Sequence, residues 1–385
     1  MALTLSQIIT LLAGVPTAPF REHWVCRVLD TLLRGIPGIE VQADAFGNRI
    51  ARLRKGKADA APMIFVAHMD HPGFIFRDPG VARRNEQGFY PASFEGNVAD
   101  SFFPDAAVRF FRSAGDPGVP GRVAAVPPPE PASDSRRVLL EGPPAAEGAL
   151  LAMWDLTGPV IQDGLISCRV CDDLMGCAAI VEILRRASEE ERADVCAVFT
   201  RAEEAGFCGA LRLAGTQPLP PPLPGDGILI SVETSSELPG VSLGDGVVVR
   251  IGDKVTTFDG PLSDTIWRLA LSHQIRAIRF LMSGGTCEAT VFSRAGLRTG
   301  ALCIPLRNYH NMDRAAGRIA PEIIALSDIQ ALCDLMFQMS LFSISGGIPS
   351  IPAPFNDRLF LEKAQRNLHP IPLTPPDQGF AATPS

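Results

Sequence analysis

Residues 195–210 read VCAVFTRAEEAGFCGA, a short apolar run that leads into two adjacent glutamates, Glu203 and Glu204. The run over 195–200 holds only small, β-branched and aromatic residues, which predicts a buried strand. Gly206 and Gly209 then allow a tight turn. Because catalytic groups collect at the carboxyl ends of strands in open α/β sheets, the stretch predicts such a sheet with a polar site at its edge. An isolated glutamate pair is usually only solvated, so this prediction depends on partners elsewhere in the chain.

The composition is that of a globular protein large enough for two domains. The chain has 385 residues, 46% hydrophobic and 20% charged, with a net charge of −7. The acidic balance and the lack of a basic block argue against nucleic acid or an anionic membrane as a partner. No apolar run approaches the roughly 18–20 residues of a membrane span.

Two further features of the sequence indicate a cytoplasmic protein. The first charged residue is Arg21, so the apolar start lacks the basic region of a secretion signal and is instead predicted to form an amphipathic helix. Nine scattered cysteines, an odd number, favour a reducing compartment over a disulfide framework. The CRVC segment at 168–171 has the spacing of a zinc knuckle without a second pair, and it is interpreted as part of a strand.

The order of patterns predicts a divided α/β domain with an insertion. Residues 1–73 and 166–345 alternate strand and helix patterns and are predicted to form a catalytic α/β domain, a mixed sheet flanked by helices. Residues 74–165 contain short β-like pieces, many glycines and prolines and no helix pattern, which predicts a small inserted β-domain. Residues 346–385 form a Pro-rich C-terminal extension. Helices are predicted over 263–281 and, at the end of the domain, over 321–342.

Polar residues follow several of these predicted strands. They are His68, Asp70, Asp172, Asp173, Glu203, Glu204, Glu233 and His310. Imidazole and carboxylate ligands in this ratio suit zinc, manganese or cobalt. Two metal ions about 3.5–4 Å apart need a carboxylate that bridges them. One glutamate of the pair can then bind metal while the other takes a proton from the water between the ions. Asp70, two residues after His68, can accept the second N–H of its imidazole.

Six segments, AHMDHPGF, VCDDLMG, VFTRAEEAGFCGA, ISVETS, SGGTCEA and IPLRNYH, carry a family resemblance. Together they resemble the motifs of co-catalytic zinc aminopeptidases of the glutamyl and tetrahedral aminopeptidase type, in the same order, over about residues 10–335. The resemblance implies a zinc-peptidase-like fold, a homo-oligomer and two divalent metal ions per chain, zinc first, with cobalt or manganese as alternatives. It implies that His68 and Glu233 bind one ion, that Glu204 and His310 bind the other, and that Asp172 bridges them. Glu203 is then the general base, and Asp70 the residue behind His68.

The chain departs from the family pattern at three positions. Glu233 stands where these aminopeptidases usually have aspartate, and glutamate there is more typical of carboxypeptidases and deacylases. His71 stands where an acidic residue is common, and it either touches substrate or metal or makes a local hydrogen bond. The acidic group of a GGTDA-like segment moves to Glu288, which either recognises a substrate amine or caps the following helix.

These observations predict a two-metal hydrolase that cleaves a peptide, amide or N-acyl bond through a metal-bridging water activated by Glu203. An exopeptidase acting on a peptide or an N-acyl amino-acid-like substrate is the leading interpretation. The alternatives are a small-molecule N-acyl amidohydrolase or deacylase, a carboxypeptidase-like enzyme, and a catalytically silent binding protein on the same fold. A cysteine hydrolase would have to use Cys287, which lies beside Gly284 and Gly285.

Overall fold

The computed structural model describes residues 3–55, 62–77, 80–128, 136–216, 218–225 and 227–341. The predicted Pro-rich extension over 346–385 lies outside these residues. The helices are α1 Leu5–Ala13, α2 His23–Arg34, α3 Leu174–Ala187, α4 Cys208–Ala214, α5 Gly260–Ser272, α6 Glu288–Arg294 and α7 Leu326–Leu341. Among the helices within the described ranges, none has both the length and the apolar character that a membrane span requires.

The strands are given in two groups, in chain order. The first is β1 Ile39–Ala43, β2 Arg49–Lys55, β3 Met63–His68, β4 Gly73–Ile75, β5 Tyr90–Glu95, β6 Ala107–Phe111, β7 Val119–Ala125, β8 Arg136–Glu141 and β9 Leu151–Trp154. The second is β10 Val160–Gln162, β11 Leu165–Cys168, β12 Ala193–Thr200, β13 Ile228–Ser236, β14 Val247–Asp253, β15 Ala277–Met282, β16 Thr299–Leu306, β17 Met312–Asp313, β18 Arg318–Ile319 and β19 Glu322–Ala325.

An eight-stranded mixed sheet in the order β1-β2-β12-β3-β13-β16-β14-β15 forms the centre of the molecule. Strands β12, β3, β13 and β16 are parallel neighbours, so their carboxyl ends meet at one edge. Every residue of β3 is buried, and Phe65 and Ala67 belong to a different core cluster from Ile64 and Val66. The alternation follows the period of a strand that is covered on both faces. The predicted mixed sheet flanked by helices is confirmed.

The insertion contains a closed antiparallel barrel, an extra domain with strand order β4-β5-β8-β7-β6-β9. Its interior is filled by aromatic rings, with the centroid of Phe74 4.9 Å from those of both Phe94 and Trp154. This confirms the predicted small β-domain. Strand β10 falls within the predicted insertion, but it pairs with β11, which in turn pairs with β19 outside the barrel.

Two predicted helices differ from the structure. The prediction of one helix over 263–281 is wrong, because α5 ends at Ser272 and β15 follows, pairing in parallel with β14. Gln274 has a φ of 54°, which ends the helix, and Ile278 and Phe280 then pack on the same small cluster, as alternate strand residues do. The closing helix begins at Leu326 rather than near 321, since the residues of β19 are held by pairing with β11.

Candidate metal centre

The predicted site residues come together at the carboxyl edge of the sheet. His68 ends β3, the glutamate pair follows β12, Glu233 lies in β13, and His310 follows β16 in a short 3₁₀ turn. Asp172 lies between β11 and α3, with a cis peptide bond to Asp173. His68, Asp172, Glu233 and His310 are all buried. The parallel pairing of the four strands therefore collects side chains that are up to 242 residues apart (310 − 68).

Asp172 lies between the two histidines. Its Oδ1 is 3.3 Å from Nε2 of His68, and its Oδ2 is 3.6 Å from Nε2 of His310. On the His68 side, Oε2 of Glu233 is 3.9 Å from Nε2, and on the other side Oε1 of Glu204 is 3.0 Å from Nε2 of His310. One carboxylate thus faces both groups of donors, which is the arrangement that a bridging ligand requires.

The chemistry of these atoms fits a pair of metal ions. Two compact donor groups are present, His68 with Asp173 and Glu233, and Asp172 with Glu204 and His310, and the ligand atoms of each lie within 4.8 Å of one another. Buried atoms of both groups lack a hydrogen-bond partner among the described residues: Asp172 Oδ1, Asp173 Oδ2, Glu204 Oε1 and His310 Nε2. Buried polar atoms are normally satisfied, so converging lone pairs without donors indicate a bound cation.

Asp173 was not predicted as a ligand. Its Oδ1 accepts hydrogen bonds from Thr234 Oγ1 at 2.8 Å and from the backbone of Gly176 at 3.2 Å, which makes it the N-cap of α3. Its Oδ2 has no hydrogen-bond partner among the described residues, and Asp173 belongs to the donor group of His68. Only Asp172 faces both histidines, whereas Asp173 chiefly holds the start of α3.

Hydrogen bonds to Nδ1 orient both histidine rings so that Nε2 faces the carboxylates. Nδ1 of His68 lies 3.1 Å from the backbone oxygen of Asp70, and Nδ1 of His310 lies 2.9 Å from the backbone oxygen of Asn97 in the barrel domain. A carbonyl can only accept, so each Nδ1 carries the proton and each Nε2 is free to bind metal.

The carboxylate of Asp70 has a different role from the predicted one. Its Oδ1 is 3.8 Å from Nδ1 of His68, beyond hydrogen-bond distance, because the backbone carbonyl of the same residue takes that position. The carboxylate instead accepts the backbone N–H of Glu203 at 2.9 Å and of Glu204 at 3.0 Å. Through these hydrogen bonds, Asp70 links the backbone of the glutamate pair to the segment that follows the His68 strand.

Burial and the neighbouring charges shift the pKa values of the side chains at this centre. Burial raises the pKa of Glu203 well above its usual value and that of Glu233 to about 7, although His68 opposes both shifts. Burial alone would lower the pKa of His68, but Glu203 and Asp172 outweigh it and raise that pKa well above normal. Burial also favours neutral Asp172, yet the neighbouring imidazoles of His310 and His68 hold its pKa far below the usual range. Such a cluster binds protons or metal cations strongly.

Sequence analysis missed Glu322, which is fully buried at the start of β19. Its Oε2 accepts the backbone N–H groups of Cys171 and Asp172, and its Oε1 accepts that of His310. Burial raises the pKa of Glu322 to about 7. This one carboxylate ties together two segments that carry predicted ligands. The only signal was an acidic residue next to the apolar run IIA at 323–325.

The structure gives the surroundings of two of the departing positions, His71 and Glu288. His71 makes hydrogen bonds distant in sequence, with Nδ1 2.6 Å from the backbone oxygen of Asp172 and Nε2 2.9 Å from Oδ1 of Asn311. Glu288 is fully buried and neither carboxylate oxygen has a hydrogen-bond partner among the described residues, so it does not cap α6.

Burial raises the pKa of the Cys287 thiol, which disfavours a thiolate nucleophile there. Cys168 and Cys171 are buried and belong to neither donor group.

Residues 152–334, just under half of the chain, match the family model described as M42 glutamyl aminopeptidase. Over this segment the chain is similar to the M42 peptidase family. This peptidase is accordingly a metal-dependent hydrolase. The matched segment contains Asp172, Glu203, Glu204, Glu233 and His310, while His68 and Asp70 precede it.

Solved structures of archaeal peptidases share the fold of this protein. The TET1 peptidase of Pyrococcus horikoshii is 20% identical with a TM-score of 0.68, and the match covers 88% of this chain and 99% of that one. An aminopeptidase from Desulfurococcus kamchatkensis is 19% identical with a TM-score of 0.69, covering 87% and 94%. A TET aminopeptidase from a marine-sediment Thaumarchaeota archaeon is 19% identical with a TM-score of 0.71, covering 88% and 98%. At these identities the likeness establishes the fold.

Proposed function

We propose that this protein is a two-metal exopeptidase in which Glu203 acts as the general base. The observation that carries the proposal is the position of Asp172, whose two carboxylate oxygens face His68 on one side and His310 on the other. A single carboxylate that faces a histidine on each side is the feature that a dinuclear site needs and a mononuclear site does not.

The residues present fit two divalent metal ions. His68 and Glu233 would hold one ion, Glu204 and His310 the other, and Asp172 would bridge them. Asp172, Glu204 and Glu233 carry a combined charge of −3 when ionised, which two divalent cations offset. Nitrogen and oxygen donors favour zinc, with cobalt or manganese as alternatives. When bound, such ions supply Lewis-acid chemistry that polarises the scissile carbonyl and makes water more acidic.

Glu203 is the group of this chain that moves the proton. Its backbone is fixed by Asp70, beside the donor groups but outside both of them. The carboxylate takes a proton from the attacking water and returns it to the leaving amine.

The substrate class is a peptide with a free amino terminus. The description of the matched family as a glutamyl aminopeptidase supports this class, and an acidic first residue is the first to be tried. Because glutamate at position 233 is more typical of carboxypeptidases and deacylases, the test also covers a carboxypeptidase-like enzyme and an N-acyl amidohydrolase or deacylase. We also propose a homo-oligomer, since the relative from Pyrococcus horikoshii is described as forming a tetrahedron or an octahedral shell. A cytoplasmic location agrees with nine free, buried cysteines.

The test combines metal content with a matched substrate set on the purified full chain. We expect two divalent metals per chain by elemental mass spectrometry and loss of activity after chelation. One short peptide should be offered in three forms: with both termini free, with an acetylated amino terminus and with an amidated carboxyl terminus. Cleavage of the free and amidated forms alone identifies an aminopeptidase, and cleavage of the free and acetylated forms a carboxypeptidase. Full hydrolytic activity of metal-free protein would end the two-metal proposal.

A further inference from the structure

Four consecutive backbone N–H groups at the end of β12 are each held by the side chain of a buried residue. The donors are residues 201–204, and all of the acceptors come from other segments of the chain. The pairs are Arg201 N with Asn48 Oδ1 at 3.0 Å, Ala202 N with Glu22 Oε1 at 2.9 Å, Glu203 N with Asp70 Oδ1 at 2.9 Å, and Glu204 N with Asp70 Oδ2 at 3.0 Å.

Glu22 is the acceptor with the most interactions. Its Oε1 also accepts the backbone N–H of Phe20 at 2.8 Å. Its Oε2 receives two donors from the guanidinium of Arg201, Nε at 2.8 Å and Nη2 at 2.7 Å. The side chain of Glu22 is 0% exposed and that of Arg201 is 7% exposed. Such a two-donor ion pair, removed from water, fixes geometry on both sides.

The backbone that Glu22 holds has an unfavourable conformation. Ala202, directly before Glu203, has a φ of 53°, in the left-handed region that side chains other than glycine seldom adopt. Such a conformation persists where the surrounding structure enforces it, and it commonly occurs at active sites. The hydrogen bond from Ala202 to Glu22 and the ion pair of Glu22 with Arg201 supply that constraint at the two residues preceding Glu203.

We propose that Glu22 is a positioning residue for Glu203. Through its ion pair with Arg201 and its hydrogen bond to Ala202, Glu22 sets the direction in which the backbone presents the Glu203 carboxylate. The inference rests on the proposed role of Glu203 as general base. Glu22 lies in the segment before α2, far from Glu203 in sequence, and it belongs to neither donor group of the metal centre.

The same strand offers a matched control at its other end. Asp194, the second residue of β12, receives Nε and Nη2 of Arg52 at 2.9 and 2.7 Å. Its side chain is 6% exposed. It forms the same kind of two-donor ion pair on the same strand, remote from the carboxyl edge. Asp194→Asn therefore reports what the loss of such a pair does to the fold alone.

The experiment compares Glu22→Gln with Asp194→Asn in the full-length, metal-loaded protein. Glutamine can still accept the N–H of Ala202, but its amide cannot pair with Arg201. We expect Glu22→Gln to keep two metals and an unchanged KM and to lose about 10²-fold in kcat, the scale of a small misplacement of a catalytic group. Asp194→Asn should lower the thermal unfolding midpoint and leave kcat unchanged. Arg201→Lys, which keeps the charge but not the fork, should lower kcat less and in the same direction.

A double-mutant cycle with Glu203→Asp tests whether Glu22 acts through Glu203. The shorter aspartate is already misplaced, so Glu22→Gln should cost much less in kcat on that background than in the wild type. Equal losses on both backgrounds, or wild-type kcat in both Glu22→Gln and Arg201→Lys, would overturn the inference. If Glu203→Asp and Glu203→Gln themselves keep wild-type kcat, Glu203 is not the general base and the proposed function is wrong. Failure of the Glu22 inference alone leaves the Glu203 variants impaired.

Discussion

Nδ1 of His310 lies 2.9 Å from the backbone oxygen of Asn97. His310 follows a strand of the central sheet, and Asn97 follows strand β5 of the barrel. The barrel therefore supplies the acceptor that orients a predicted metal ligand of the other domain. In addition, the N–H of Ala99 points to Sδ of Met312 at 3.4 Å, and Met312 packs in the barrel core. The inserted domain is thus part of the construction of the metal centre.

Gly96→Ala is expected to weaken the metal site of His310. Gly96 has a φ of +117°, and a Cβ there would lie 2.6 Å from Cβ of Pro72, so the loop that presents Asn97 must move. Gly88→Ala is the control, because Gly88 has a φ of +86° but nothing within 4 Å of the added carbon. Isothermal titration with Zn²⁺ should show one weakened site in Gly96→Ala and two intact sites in Gly88→Ala. Equal affinities in both variants would contradict this role of the loop.

The two glutamates of the pair should fail in different ways. Glu203→Gln cannot take a proton but keeps its size, so we expect both metals to be retained and kcat to fall by roughly 10²–10⁴-fold. Glu204→Gln replaces an anionic ligand with a neutral one, so metal affinity should fall first. Excess metal should then partly restore Glu204→Gln and leave Glu203→Gln inactive. Wild-type rates in both variants would show that neither glutamate has a role in metal binding or catalysis.

Asp172→Asn should weaken both metal sites, because its carboxylate faces both histidines. His68→Ala and His310→Ala should each weaken one site. Metal at about 100 times its dissociation constant stabilises the folded state by about 2.7 kcal/mol per site. The rise of the unfolding midpoint on adding metal should therefore be smaller in the two histidine variants than in the wild type, and smallest in Asp172→Asn. His273→Ala, at an exposed position after α5, is the control. A variant of Asp172 that loses only one metal would show that the carboxylate does not bridge.

Glu288→Gln should stabilise the metal-free protein at alkaline pH. Burial raises the pKa of Glu288 from 4.5 to about 8. Between these values the folded state holds a proton that the unfolded state releases, so stability is full below pH 4.5 and falls as the pH rises toward 8. Glutamine does not titrate, and the advantage of the variant should therefore grow by at most about 1.4 kcal/mol per pH unit. Denaturant unfolding with a chelator at pH 5, 7 and 9 measures this, with the exposed Glu189→Gln as control. A pH-independent difference would refute it.

Much of the fold followed from local patterns. The apolar run before Glu203 predicted a buried strand, because only a strand covered on both faces is apolar at every position. The alternating strand and helix patterns of residues 1–73 and 166–345 likewise predicted the mixed sheet flanked by helices. The wrong helix over 263–281 shows the limit, since the residues of β15 form a strand by pairing with β14, which no local pattern reports.

By itself, the sequence determined which side chains stand at strand ends, and from these the metal chemistry was predicted. Only the tertiary structure decided how those side chains are held. The carboxylate of Asp70 fastens the glutamate pair instead of the imidazole of His68, and Glu322 joins the segments of Asp172 and His310. Glu22 holds the backbone before Glu203. The physical reason is that a ligand type follows from the chemistry of one side chain. The hydrogen bonds that orient it come from residues distant in sequence, and these meet only when the sheet and the barrel are packed.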